Sequence, residues 1–339
     1  MNNTARHDGY RQHTMGLSPA VRTRKRDSGI ALITVLSVLA LVATLSTTAL
    51  LWQQTAVQRT ARVLQASQGL DYLHAMQTWV EVVLLRDLRT SQIDTLQENW
   101  ALSLMSLAVE RGTISGQLED MQGRFNLNNL VVDNKVQTKS LARFQRLLQA
   151  VGVDDTAAIQ IVNAVRDWQD SDQEESVPGG AEDYHYLALS PPYRASDGPF
   201  LSTSELLLVK GMTADIWKKI EPYVSALPGY HPVNLNTAPK VVLQSLSADM
   251  SDALVEDILD RRLSDPFGDV QAFLSFRKGS QDENLRLPVL AAKSLSVTSH
   301  YFLLKGTVAI AEQTLQAQML IQRNKQQAAV IRRSFGQTL

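Results

Sequence analysis

The residues of this sequence that are best able to do chemistry are carboxylates crowded into one short stretch. Five acidic residues fall within nine positions, and two more follow a Pro-Gly-Gly turn: Asp167, Asp170, Asp172, Glu174, Glu175, Glu182 and Asp183. Calcium takes about six to eight oxygen ligands, largely carboxylate and carbonyl, from flexible loops of this kind. The stretch predicts a calcium site formed by Asp167, Asp170, Asp172, Glu174, Glu182 and Asp183.

The same composition also fits an acidic loop that is simply solvated. The spacing is not that of an EF-hand, because the glycine at the sixth loop position and the glutamate at the twelfth are missing. Asp167 and Asp170 would share one helix face only if the preceding helix reaches that far. Composition alone leaves both interpretations open.

Motifs for catalysis are absent from the sequence. It contains no cysteine, no G-x-S-x-G, no P-loop and no H-E-x-x-H, and its six histidines show no metal-ligand spacing. Without cysteine, no disulfide can help to hold an exported domain together, so its stability must come from core packing. The sequence therefore predicts a protein that is not an enzyme.

The most prominent element that could position the acidic stretch is an apolar run from Gly29 to Trp52. No charged residue lies between Asp27 and Arg59, and about 20 apolar residues are enough for one helix to cross a bilayer. The run is preceded by a basic cluster, Arg22, Arg24, Lys25 and Arg26. By the positive-inside rule, the N-terminus stays in the cytoplasm and the rest of the chain is exported. Two other interpretations of this N-terminal stretch are a plain membrane anchor and an ordinary cleaved signal peptide. The apolar region of a signal peptide is shorter, at about 7–15 residues.

Beyond the apolar run, the period of the hydrophobic pattern changes twice. The chain first continues as an amphipathic helix, with apolar residues at steps of three and four. Alternation with a period of two, at 112–131 and again at 294–339, predicts antiparallel strands, with Gly306 interrupting the second set. The predicted fold class is α+β. A long N-terminal transmembrane and amphipathic helix region (30–111) packs on an antiparallel sheet, and a large all-α domain (132–293) is inserted into it.

Two segments of the inserted region, 204–223 and 233–273, look like helix-hairpin-helix units, which elsewhere bind the DNA backbone. Lys210-Gly211-Met212 fits the glycine hairpin only in part, and the second segment has no glycine at the equivalent turn. Residues 151–230 carry thirteen acidic and five basic side chains, and so acidic a region repels nucleic acid. A helical repeat used for packing is favoured, and a membrane-tethered DNA-binding protein is the alternative.

Taken in order, these segments resemble the K-type minor pseudopilins of type II secretion systems. The resemblance is carried by SGIALITVLSVLAL, DMQGRFNLNNL, DWQDSDQEESVPGGAEDYHYL, PPYR and VNLNTAPKVVL. It implies a structural component of protein export with one span in the inner membrane, a cytoplasmic N-terminus and a periplasmic C-terminal domain. It also implies a place at the tip of the pseudopilus, with I-type and J-type minor pseudopilins as partners and no nucleic acid. Calcium binding is implied too, without its ligands.

The same resemblance assigns residues 1–29, starting at Met1 or at Met15, to a leader peptide. Prepilin peptidase would cleave between Gly29 and Ile30, and the new terminus would be methylated. Most pseudopilins carry a glutamate at the fifth mature position, which here is Thr34. In the usual picture of the family, that carboxylate pairs with the free amine of the subunit above, and a carboxylate in the bilayer is costly unless paired. A subunit with nothing above it needs no such carboxylate, so Thr34 fits a tip position.

Overall fold

The computed structural model describes residues 27–102 and 104–336. The chain divides into two compact units, Met1–Val63 and Leu64–Leu339. The helices are α1 (Asp27–Thr90), α2 (Thr138–Ala150), α3 (Asp155–Gln169), α4 (Asp183–Leu187), α5 (Ala214–Ile220), α6 (Lys240–Gln244), α7 (Asp252–Ser264) and α8 (Val270–Ser275). The strands are β1 (Leu104–Val109), β2 (Gly112–Asp120), β3 (Phe125–Asn126), β4 (Val131–Val132), β5 (Lys135–Val136), β6 (Val224–Ser225), β7 (Val233–Asn234), β8 (Leu295–Ser296), β9 (Tyr301–Ile310), β10 (Gln313–Arg323) and β11 (Ala328–Phe335).

The described part of the first unit is a single helical segment of α1. Its large apolar side chains from Ile30 to Trp52 are exposed, and its most apolar window has a mean hydropathy of 2.4. Within the described residues, α1 is the one helix long and apolar enough to cross a membrane by length and composition. The hydroxyls of Thr44, Thr47 and Thr48 donate to carbonyls one turn back. These bonds satisfy the hydroxyls without water, as a helix in hydrocarbon requires.

The second unit contains an antiparallel sheet with the strand order β1-β2-β9-β10-β11. The later part of α1 packs on one face of this sheet through Leu73, Met76, Val80 and Leu84, all of which are buried. Their spacing of three and four residues places them on one helix face. The predicted α+β class, with a long N-terminal helix and an antiparallel sheet, is confirmed.

The sequence pattern predicts that Gly306 interrupts a strand. In the structure, Gly306 lies inside β9. It pairs with Gly116 of β2, and both glycines lie beneath Met76 of α1. A Cβ atom at Gly306 would be 3.0 Å from the Met76 sulfur, and one at Gly116 would be 2.9 Å from it. The two glycines are therefore a groove for this methionine. The prediction was wrong because a glycine that admits a close neighbour looks, in sequence, like one that weakens a strand.

The helix is also shorter than the predicted region of 30–111. It ends at Thr90, and residues 104–109 form the edge strand β1. Beyond Thr90, the Ser91 hydroxyl accepts the N–H of Ile93 and donates to the Ile93 carbonyl. Such side-chain bonds compete with the helical ones and favour a turn.

Residues 121–300 separate β2 from β9 and have a hydrophobic core of their own, distinct from that of the sheet. This region is wider than the predicted 132–293, since Phe125, Leu127 and Leu130 belong to its core. It is not all-α, because β3 pairs with β6, β4 with β5 and β7 with β8. Strands of two residues are too short to show alternation in sequence.

Two similar asparagine motifs, FNLNN at 125–129 and VNLNT at 233–237, organise the two halves of this inserted region. Each starts with a two-residue strand paired in parallel to a later segment, β3 to β6 and β7 to β8. The Asn128 amide donates to the carbonyls of Phe200 and Leu227. The Asn236 amide exchanges bonds with the Phe267 backbone. These amides satisfy buried backbone groups that lie in irregular segments.

A buried arginine connects α1, the sheet and the segment between them. Arg323 of β10 is 1% exposed, and its Nη2 lies 2.6 Å from a carboxylate oxygen of Asp94. Its Nη1 lies 3.1 Å from Asp87 of α1, and the guanidinium carbon lies 4.7 Å from the centre of the Phe302 ring. Burial is the main cause that raises the pKa of Asp87 to about 6, while Arg323 acts to lower it.

Candidate functional site

The acidic stretch begins at the C-terminal end of α3. Asp154 caps the start of this helix, its side chain accepting the N–H groups of Thr156 and Ala157. The helix ends at Gln169, and the N–H of its C-cap residue, Asp170, donates to the Arg166 carbonyl. Asp167 therefore lies in the last turn of α3, and Asp170 is the first residue after it.

The chain then folds back onto α3 and is held there by Asp167. One carboxylate oxygen of this residue, Oδ2, accepts the N–H groups of Ser176 and Ala181, each at 2.9 Å. Gly180 packs so close to that oxygen that a Cβ atom would collide with it. The Lys210 ammonium donates to the Gly180 carbonyl at 2.9 Å. The turn at 178–180 thus returns the chain to the end of α3.

Three carboxylates meet where the loop returns. Asp170, Asp172 and Glu182 each offer an oxygen, and these atoms lie within 4.8 Å of one another. Asp170 is 4% exposed and Glu182 is 2% exposed. Both carboxylate oxygens of Glu182 and one of Asp170 are buried without a hydrogen-bond partner among the described residues, as is the second oxygen of Asp167. Buried carboxylate oxygens without donors fit a hard cation, which would be their missing partner.

The electrostatics of the group lead to the same conclusion. Burial, followed by the charges of Asp167, Asp170 and Asp172, raises the pKa of Glu182 to about 8. Burial and the charges of Asp172 and Asp167 also raise the pKa of Asp170, although Arg166 opposes this shift. Arg166 lies 3.3 Å from Asp170, and its positive charge and hydrogen bond lower the pKa of that carboxyl against the effect of burial. A bound divalent ion would remove the repulsion.

Three of the six predicted ligands, Asp167, Glu174 and Asp183, lie outside the three-carboxylate group. Glu174 is exposed, and its N–H donates to a carboxylate oxygen of Asp172. Asp183 forms an ion pair with Arg194 at 2.7 Å and accepts the N–H of Ala195 at 3.0 Å, so both of its oxygens have partners. Asp167 contributes mainly by holding the loop, with one oxygen left free.

Sequence reasoning missed two neighbours of this group. The side-chain oxygen of Gln169 is buried and has no hydrogen-bond partner among the described residues. The charge of Asp197 is among the causes that raise the pKa of Glu182. Asp197 precedes a glycine well outside the acidic stretch, and no pattern in the sequence distinguishes Gln169 from a surface glutamine. Contacts between distant segments would have been needed to find either.

A second group of three acidic residues, Asp87, Asp94 and Glu98, differs from the first because Arg323 already occupies it. Asp94 accepts from Arg323 and from the Ser299 N–H. One Glu98 oxygen accepts from the Thr95 N–H and the Trp100 indole. These side chains satisfy one another without an added ion. Of the two acidic groups found within residues 27–102 and 104–336, the one at the end of α3 has the unsatisfied oxygens that a cation site needs.

The predicted leader junction lies at the start of α1. Gly29 and Ile30 are both helical and exposed, and the basic cluster before them lies outside the described residues. The Thr34 hydroxyl donates to the Ala31 carbonyl at 2.9 Å. This position therefore presents a satisfied hydroxyl, where a carboxylate would need a partner.

Comparison with known proteins gives one consistent family. Two family models, each described as "Type II secretion system (T2SS), protein K", match residues 123–229 and 233–296. Their junction separates the FNLNN half of the inserted region from the VNLNT half. Type II secretion system protein K of Pseudomonas aeruginosa is 33% identical over 324 residues, covering 93% of this chain and 94% of that protein.

A second relative and a solved structure agree with this match. The Klebsiella pneumoniae protein of the same description is 31% identical over 324 residues, covering 92% of this chain and 97% of that protein. A chain in the crystal structure of the GspK-GspI-GspJ complex from enterotoxigenic Escherichia coli is similar in fold, with a TM-score of 0.73 and 27% identity. The similarity covers 83% of this chain and 100% of that one.

Proposed function

This chain belongs to the family of type II secretion system protein K, and we propose that it is the K-type minor pseudopilin of such a system. The observation that carries the proposal is the similarity to the GspK complex, which extends over 83% of this chain. The role is structural: the chain is a component of the protein-export machinery, and no catalytic group is required of it.

We further propose that this chain assembles with the I-type and J-type minor pseudopilins of its own system. The related chain was crystallised with GspI and GspJ. Co-expression of the tagged full chain with both partners is expected to recover all three together after detergent extraction. Recovery of this chain alone, with both partners well expressed, would contradict the proposal. An unrelated single-span protein carrying the same tag controls for detergent carry-over.

A position at the tip of the pseudopilus follows from the size of the head. The second unit is a pilin-like helix and sheet enlarged by the inserted region at 121–300, in which we interpret the segments 204–223 and 233–273 as helix-hairpin-helix-like. So large an insertion leaves little room for a subunit stacked above, and Thr34 requires none. Quantitative mass spectrometry of sheared pseudopili, alongside the co-purification, is expected to find about one copy per filament.

The DNA-binding alternative is not supported. The sequence feature that favoured DNA binding was the partial glycine hairpin at Lys210-Gly211-Met212. In the structure, the Lys210 ammonium donates a hydrogen bond to the Gly180 carbonyl. This bond holds Lys210 against the acidic loop, and the negative charge of that loop repels a phosphate backbone. The hairpin lysine helps to hold the acidic loop instead.

We infer that calcium binds at the end of α3, held by Asp170, Asp172 and Glu182, with Asp167 and Gln169 beside them. The unsatisfied buried oxygens support this inference, because they are the hard ligands that calcium prefers. When bound, the ion would supply positive charge to a group that cannot ionise fully without it. The protein residues supply the rest: Asp167 fixes the loop, and Gly180 permits its close approach.

We also propose that the chain is cleaved between Gly29 and Ile30 and lies across the inner membrane with the second unit in the periplasm. N-terminal sequencing of the membrane-extracted protein is expected to begin at Ile30. Gly29→Leu should block cleavage, because a large side chain replaces the small residue at the junction, whereas Ser28→Ala should not. A mature terminus near Ala49 would indicate an ordinary signal peptidase instead.

A further inference from the structure

A basic cleft on the inserted region has no role in the proposed function. Its volume is about 360 Å³, and it lies between the start of α2 and the segment that leads into β8. The charged residues lining it are Lys139, Arg143 and Lys293, and its polar lining includes Ser140, Ser294 and Tyr230. No acidic residue lines it, although the neighbouring region 151–230 is strongly acidic.

The three cations of the cleft have no counter-charge. Within residues 27–102 and 104–336, no carboxylate forms an ion pair with Lys139, Arg143 or Lys293. The Arg143 guanidinium is half-buried, and its hydrogen bond is to the neutral hydroxyl of Ser294, at 2.6 Å. Burial is the main cause that lowers the pKa of Arg143; the Tyr230 phenol opposes this shift, and no carboxylate does. A partly desolvated cation of this kind is costly unless an anion accompanies it.

The backbone adds donors at the same place. α2 is 13 residues long, and its N-cap residue, Gln137, makes no side-chain cap. The Gln137 amide donates instead to the Lys135 carbonyl. The Ser140 N–H donates to the Gln137 carbonyl at 2.8 Å, so the N–H groups of Thr138 and Lys139 are the first-turn donors left for an anion, which the helix dipole also attracts. Thr138, Lys139 and Ser140, which form this first turn, all line the cleft.

We propose that this cleft binds a phosphomonoester or inorganic phosphate. Such a group carries a charge of about −1.5 to −2 near neutral pH and three acceptor oxygens, which suits three cations better than a carboxylate does. The planar fork of Arg143 can hold two of these oxygens. The volume lies within the range of small-molecule sites, about 300–1,000 Å³, so the cleft has room for what the phosphate is attached to. The phosphate could come from a soluble ester or from a lipid headgroup.

The test is a calorimetric titration of the full chain, held in an uncharged detergent, with two probes at constant ionic strength. Inorganic phosphate represents the free anion, and dihexanoyl phosphatidic acid, used below its micelle concentration, represents the lipid source. We expect inorganic phosphate to bind saturably. Phosphatidic acid that binds at least about ten-fold more tightly would identify a lipid source, and equal affinities would identify the soluble one; either result supports the proposal.

The variants make the test specific. Lys139→Gln with Lys293→Gln removes two exposed lysines from the cleft, and Arg143→Gln removes the fork; each change is expected to weaken binding about ten-fold or more. Lys218→Gln with Lys219→Gln removes the same charge from exposed positions on α5 and should leave binding unchanged. Circular dichroism confirms that each variant is folded. The proposal is overturned if neither probe saturates, or if the α5 variant weakens binding as much as the cleft variants.

Discussion

Calcium is expected to raise the melting temperature of the full chain in detergent by about 5–10 °C at a hundred times its dissociation constant. Binding confined to the folded state stabilises it by about 2.7 kcal/mol at that concentration, and a domain of this size melts about 2–4 °C higher per kcal/mol. Magnesium should raise it much less, because magnesium demands tighter octahedral geometry. Differential scanning calorimetry measures both effects.

Substitutions within one loop separate a calcium site from general charge screening. Glu182→Gln keeps the shape of the side chain but removes the buried carboxylate, and it should abolish the calcium effect. Asp170→Asn with Asp172→Asn should do the same. Glu174→Gln with Glu175→Gln removes equal charge from exposed positions nearby and should preserve the effect. If all three variants respond to calcium like the parent chain, the acidic stretch is simply solvated.

The pH dependence gives an independent check on Glu182. Its pKa is about 8 in the folded chain and 4.5 as its ordinary value, so between these values the folded state holds a proton that the unfolded state has lost. Without calcium, the contribution of Glu182 to stability is therefore present below pH 4.5 and is lost as the pH rises toward 8. Calcium affinity should increase as the pH rises from 4.5 to 8, because Glu182 must lose its proton to bind the ion. A calcium affinity that does not change with pH would contradict this assignment.

Replacing Arg323 is expected to cost about 3–5 kcal/mol of unfolding free energy. Arg323→Met removes the buried guanidinium and leaves Asp94, 2% exposed, and Asp87 without their cation. Arg323→Lys should cost less, because it keeps the charge but cannot reach both carboxylates as a fork. Chemical denaturation followed by tryptophan fluorescence measures the loss.

Two comparisons test this explanation. Lys240→Met breaks an exposed pair with Glu256 and should cost much less unfolding free energy than Arg323→Met, because water screens an exposed pair. Adding Asp94→Asn to Arg323→Met should restore part of the lost stability, since the stranded charge is then gone. A double variant that is less stable than Arg323→Met alone would show that the loss comes from packing and not from unpaired charge.

The sequence predicted the elements whose signals are local. The apolar run, the helix before the acidic stretch and the two sets of strands each have a periodicity that one segment carries by itself. The Pro-Gly-Gly turn indicates that the chain folds back, and so it predicts that Glu182 and Asp183 return toward Asp170. How closely it approaches Asp170 depends on the bonds from Ser176 and Ala181 to Asp167, which no spacing shows.

What could not be predicted depends on partners far away in the chain. Arg323 looks in sequence like the polar end of a strand, yet it is buried because Asp87 and Asp94 face it from more than two hundred residues earlier. Asp183 looks as good a ligand as Glu182 until Arg194 is seen to pair with it. The two-residue strands β3 and β7 are too short for any period, and the asparagine amides that fix them are satisfied only in three dimensions.

The glycine groove under Met76 also resists movement of α1 along its own axis over the sheet. Gly116 and Gly306 make one notch in the sheet, and the Met76 side chain fills it. If α1 slid by one residue, Ala75 would leave the notch partly empty or Gln77 would place an amide in an apolar seam. Sliding along the helix axis is thus opposed by shape as well as by lost hydrophobic contact. A pull on the part of α1 that lies against the sheet is therefore resisted in shear by this contact.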